Sequence, residues 1–184
     1  ERSDWIMIVS PQEVLEFWFK ECAPSDWFKK SEEFDEEIRT RFLPAYEAIV
    51  SGETVHWRKT PRGRLAEIIV LDQFSRNMFR ENAKAFAADS LALVLAQETL
   101  PYWKELTIEE QGFLVMPFMH SESLWIHDWA AKWFDEPGLE RRKKYELAHR
   151  AIIEQFGRYP HRNQILGRKS TLEEEQFLEK HKGF

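Results

Sequence analysis

The chain has 184 residues, of which 43% are hydrophobic and 32% charged, with a formal net charge of −6. This length suits one domain spanning residues 1–184, able to bury roughly 70% of the surface its unfolded chain exposes. The negative balance excludes a global field for nucleic acid or an anionic membrane, and no apolar run approaches the about 18 residues of a membrane-spanning helix.

Punctuation along the chain predicts helices throughout. Ser10-Pro11-Gln12-Glu13 reads as an N-cap, a first-turn proline and a capping glutamate, opening a helix to about Lys20. Ser31 caps a second helix with Phe34, Ile38, Phe42, Tyr46 and Ile49 at helical spacing. Pro44 should bend or interrupt it. Thr60-Pro61 starts a third helix running to about Met78, and Asn82 opens a fourth that ends near Leu100-Pro101. Thr107 with Glu110 forms a capping box for a fifth, which Pro117 should end or kink. A sixth runs from about Ser121 to Phe134, and a seventh from Leu139 to Phe156. Gly157 to Lys169 reads as a long loop, after which Ser170 with Glu173 caps a short last helix. No strand pair is signalled, since Asn-Gly and Asp-Gly turns are absent. The fold class is all-α, with about eight helices in antiparallel pairs.

Cys22 is the only cysteine. It is expected to be an inert thiol, and its solitude agrees with a reducing, cytoplasmic compartment. The N-terminus lacks a basic region followed by an apolar stretch, so no signal peptide is expected. Charge is unevenly spread: residues 139–169 hold nine Lys/Arg against three Asp/Glu. Within that stretch, Arg141 to Lys144 would go all round a helix and should be mostly solvated.

Three polar clusters stand out. The first is LDQFSRNMFR, from Leu71 to Arg80. At 100° per residue, Asp72, Arg76 and Arg80 fall at about 340°, 20° and 60°, continuing the stripe begun by Ile68 and Ile69. Burying unpaired charge costs several kcal/mol, so this stripe is either a solvated Asp72–Arg76 pair at a surface helix end or part of a polar pocket flanked by Gln73 and Asn77. The second is His120-Ser121-Glu122, heading a stripe of Trp125, Ile126, Trp129 and Trp133 expected to pack in the core. The carboxyl of Glu122 is expected to be raised there, and His127 to be a half-exposed helix histidine. The third is the basic segment Phe156 to Thr171, holding Arg158, His161, Arg162, Asn163 and Arg168. Arginine presents a planar fork of donors suited to carboxylate or phosphate.

No phosphate-binding glycine loop, nucleophile elbow or zinc signature is present. No metal and no cofactor are therefore expected. The motifs LDQFSRNMFR, PFMHSES and FGRYPHRNQILGRKSTLEE, with VLEFWF and TPRGRLAEIIVLDQF, resemble those of the bacterial "domain of unknown function 924" family. The resemblance implies helix hairpins stacked in a tetratricopeptide-like right-handed superhelix, and no established activity. It carries Asp72, Gln73, Arg76, Asn77, Arg80, His120, Ser121, Glu122, Arg158, His161, Arg162, Asn163 and Arg168 as motif residues. Tyr159 stands where it implies Phe, and its hydroxyl is not expected to alter the site.

Three functional readings follow. In the first, the motifs line one cleft that binds a small anionic ligand or peptide, with Arg76, Arg80, Arg162 and Arg168 gripping the anion. In the second, His161 or His120 works with Glu122 as a metal-independent acid–base pair. In the third, the clusters form a buried ion-pair network that fixes helix register, with no ligand.

Overall fold

The computed structural model describes residues 8–183, and the first seven residues, on which the signal-peptide expectation bears, lie outside them. The described residues are all-helical. Eleven α-helical segments are joined by short 3-10 and π turns: α1 (Pro11–Glu16), α2 (Glu32–Val50), α3 (Pro61–Ile69), α4 (Ser75–Met78), α5 (Asp89–Thr99), α6 (Ile108–Leu114), α7 (Met116–Met119), α8 (Leu124–Phe134), α9 (Glu140–Phe156), α10 (Asn163–Leu166) and α11 (Leu172–Lys180). Several are runs of one longer helix, since π turns at Phe17–Glu21 and Val70–Phe74 extend α1 and join α3 to α4. No helix among the described residues is long and apolar enough to cross a membrane.

The local signals act where they stand. Ser10, Ser31, Thr60 and Thr107 each accept a backbone N–H three residues on, satisfying a first-turn donor. Some boundaries differ from expectation. Asn82 caps only a 3-10 turn, Ala83–Phe86, and α5 begins at Asp89. Pro44 lies inside α2 without interrupting it. The last capping box is Thr171 with Glu174, one residue beyond Ser170 and Glu173. The expected loop after Gly157 carries a 3-10 turn, Pro160–Arg162, and α10.

Helix α3 is the axle of the molecule. It packs on α1, α5 and α6, while its continuation through the π turn and α4 packs on α2. From Leu65 to Ser75 every residue is buried, so this stretch has no solvent face. Its first turn lies so close to the preceding 3-10 turn that a Cβ on Gly63 would sit 1.9 Å from the Trp57 carbonyl oxygen. Around it Phe17, Trp18, Phe42, Phe74 and Phe113 pack ring on ring, mostly tilted or edge to face. Each such buried side chain contributes roughly 1.5–3 kcal/mol relative to exposure. A small satellite core of Ile152, Ile153 and Tyr159, with Phe156 and Phe177 against it, seats the C-terminal segment.

The tryptophan stripe of α8 is core only in part: Ile126 is buried and Trp133 packs against the core, whereas Trp125 and Trp129 do not. Ser123 is the N-cap, and α8 turns Ile126, His127, Ala130 and Phe134 inward. This leaves Trp125 65% and Trp129 40% exposed. His127, expected half-exposed, is fully buried.

Candidate functional site

The π turn at Val70–Phe74 builds the first part of the site. A π turn inserts a residue into the α-helical repeat, so the 100° register breaks within the motif; such turns recur at functional sites. Asp72, 1% exposed, lies inward at mid-helix, as its place on the apolar stripe requires. The solvated surface pair is excluded, because Arg76 lies 3.7 Å from a buried Asp72. The Gln73 amide donates to Asp72 Oδ2 at 2.8 Å.

The second part comes from the end of α7, where His120 is the C-cap residue. Its Nδ1 lies 2.8 Å from Asp72 Oδ1. Burial opposes ionisation of Asp72, but His120, Arg76 and the Gln73 amide hold its carboxyl below the usual range. Burial and the Arg76 charge push the His120 imidazole down, against the pull of Asp72. At neutral pH this makes a neutral imidazole whose Nδ1–H donates to a carboxylate. Among the described residues nothing hydrogen-bonds its Nε2.

The third part is the strap between α9 and α11. Arg162 donates to the His120 carbonyl at 2.9 Å and lies 3.7 Å from Asp89 and 3.9 Å from Glu122. Its guanidinium covers the Phe86 and Tyr159 rings. Arg76 forms a two-pronged pair with Asp89 at 2.9 and 3.0 Å. Asp72, Gln73, Arg76, His120 and Arg162 therefore converge.

The other predicted residues divide. Arg80 and Asn77 both bond Asp35 on α2. Arg168 forks onto Glu122 at 2.8 and 3.0 Å, and its remaining donors reach the Tyr159 carbonyl and Asn163. Burial raises the Glu122 carboxyl, but the Arg168 fork, the Tyr159 N–H and Arg162 outweigh it, so Glu122 is lowered and not raised. Arg158 and Asn163 both bond Glu174 and fasten α11. The Ser121 hydroxyl accepts the Ser123 N–H. His161 does not meet Glu122; its Nε2 reaches the His181 carbonyl at 3.2 Å. The Tyr159 hydroxyl donates to the Met119 carbonyl at 2.6 Å, beside His127, whose Nδ1 is held by Glu146.

These parts border a cleft with two lobes, of about 330 Å³ and 690 Å³, which share Lys30, Arg76, Arg80, His120 and His149. The smaller lobe is apolar on one side, with Trp27, Phe28, Met116 and Met119. Its other walls hold Lys29, Lys30, Arg76, Arg80 and Arg142, and no Asp or Glu among the described residues. Arg142 is the member of the basic quartet that is not solvated: it donates to the Gly112 carbonyl at 3.0 Å and covers the Phe28 and Phe113 rings. No carboxylate among the described residues pairs with it, and burial pulls its pKa down. His149, pushed down to about 3 by burial and then by His120, is also neutral here. Sequence reasoning missed Asp35, Asp89, Arg142 and His149, none of which lies in a motif. No cluster of three or more His, Cys, Asp or Glu suited to a metal occurs among the described residues.

A family profile described as "Bacterial protein of unknown function (DUF924)" matches residues 14–182. The chain belongs to this family. Its convergent residues come from all three of the motifs that carried the resemblance. A solved structure of a protein of unknown function from Agrobacterium tumefaciens is 34% identical over 93% of this chain and 97% of that one, and superposes with a TM-score of 0.84. Among curated proteins nothing matches. No activity is established for the family or for that neighbour.

Proposed function

We propose that the cleft takes up a small anionic molecule with an apolar part, and that the protein acts through this binding. One observation carries the reading. Arg142 is a largely covered cation with no carboxylate partner among the described residues, in a lobe walled by five basic residues and four apolar ones. A buried cation without a counter-charge is costly, and a bound anion supplies one. The four arginines first expected to grip the ligand are engaged already: Arg76 with Asp89, Arg80 with Asp35, and Arg162 and Arg168 around Glu122. The anion-binding role therefore passes to Arg142, helped by Lys30. We assign the work to a reducing, cytoplasmic setting, on the single cysteine.

The ion-pair reading has its own support, and it divides the residues. Arg168, Glu122, Arg158, Glu174 and Asn163 bond one another and hold the strap and α11 in place. They position the cleft wall and do not line the smaller lobe.

The test is calorimetric titration with benzoate and phenyl phosphate. Saturable binding is expected, weakened about tenfold or more in Arg142→Met, since a hydrogen bond to a charged group contributes roughly 1.5–3 kcal/mol. Methionine keeps the apolar cover over Phe28 and Phe113, and circular dichroism checks that the variant is folded. No binding of either probe, or equal affinity in the variant, refutes the reading.

A further inference from the structure

We propose that Asp72 and His120 form a general-base dyad that hydrolyses a small carboxylic ester bearing an anionic group, seated in the smaller lobe. This rests on the anion-site reading above and adds chemistry to it. The arrangement has the three parts that base catalysis needs. Asp72 is buried and bonded to Nδ1, which sets the tautomer and leaves the lone pair on Nε2. Nε2 meets no protein partner among the described residues, and His120 borders both lobes. The charges facing His120 besides Asp72 and Asp89 are the cations Arg76 and Arg162, and His149 beside it is neutral.

That electrostatic setting has a definite sign. Arg76 disfavours an imidazolium and so preserves the base form of His120. Among the described residues no Ser, Thr or Cys lines the smaller lobe, so the nucleophile is water. In the step, Nε2 takes a proton from water as the water oxygen bonds to the acyl carbon. The bond from that carbon to the leaving oxygen then breaks, and the proton on Nε2 passes to that oxygen. Ester and water become acid and alcohol, and His120 returns neutral. Arg142 and Lys30 hold the anionic end away from the dyad.

Asp72 acts through His120 and is a positioning residue. In Asp72→Asn the amide can donate to Nδ1, which places the proton on Nε2 and removes the base.

The experiment follows absorbance as 4-acetoxybenzoate is hydrolysed, with 4-nitrophenyl acetate as a neutral comparison, while benzoate binding is titrated in parallel. Wild-type protein is expected to accelerate 4-acetoxybenzoate hydrolysis over its spontaneous rate by a larger factor than it accelerates the neutral ester. His120→Gln is expected to lose about 100-fold or more in kcat and to bind benzoate within about twofold of wild type. Added imidazole is expected to restore turnover to His120→Gly, which a purely structural role would not allow. The rate should stay on its plateau below pH 6.5, because the His120 base form persists there. Asp72→Asn should lose kcat with KM unchanged and should not regain it at any pH. Benzoate binding without hydrolysis, equal rates in His120→Gln, or no imidazole rescue overturns the dyad and leaves the anion site standing. Absence of both benzoate and phenyl phosphate binding in wild type overturns both.

Discussion

Arg168 clamps the strap between α9 and α11 onto Glu122, and Arg168→Ala tests the clamp. Its guanidinium makes two bonds to Glu122, one to the Tyr159 carbonyl and one to Asn163. Removing one partner of a buried pair costs roughly 3–5 kcal/mol, mostly because the other charge is left behind. Here Arg168 and Glu122 are 24% and 25% exposed, so water reaches both and screens the loss. Glu122 also keeps the Tyr159 N–H at 2.7 Å. The expected loss is therefore about 2–3 kcal/mol, or roughly 5–10 °C in Tm for a domain of this size. Urea unfolding followed by circular dichroism measures it, with an unchanged m value showing that the folded state is intact. Benzoate affinity should stay within about twofold, since Arg168 does not border the smaller lobe. A loss below about 1 kcal/mol, or a large drop in affinity at unchanged stability, would refute the clamp.

Two further outcomes follow from buried groups. Burial, followed by Asp26, Glu37 and Glu21, pushes the Cys22 thiol up to about 12; a thiol reagent should leave native protein unmodified and react fully in urea, and fast native labelling would contradict this. The Arg158 fork is the chief cause holding Glu174 down at about 2, below its ordinary 4.5. A depressed carboxyl contributes stability that is complete above its unfolded value and lost as pH falls through the folded one. Tm should thus decline between about pH 4.5 and 2, with a shallower decline in Glu174→Gln; parallel curves would dispose of the attribution.

Helix positions were legible because the signals for them are local. An N-cap serine bonds a donor three residues away, so Ser10, Ser31, Thr60 and Thr107 act within their own helices whatever surrounds them. Charge on an apolar stripe was also a sound sign, since burial of Asp72 near Arg76 needs compensation that a surface helix end does not provide. The motif spacing brought His120 and Arg162 under suspicion, and they do meet.

The rest depended on which helix faces which. The π turn at Val70–Phe74 breaks the regular period on which a helical wheel rests, so the direction of Gln73 follows from packing on α2 and α5. The start of α8 at Leu124 places Glu122 before the helix and turns Trp125 outward. Pairing is non-local: Arg76 finds Asp89, Arg80 finds Asp35 across 45 residues, and Arg142 meets the Phe113 ring of α6 and the Phe28 ring of a distant turn. Helical propensity and capping are written in neighbouring residues. The choice of counter-ion, and with it the division between clamp and cleft, is made by the distances that arise when α3 is enclosed.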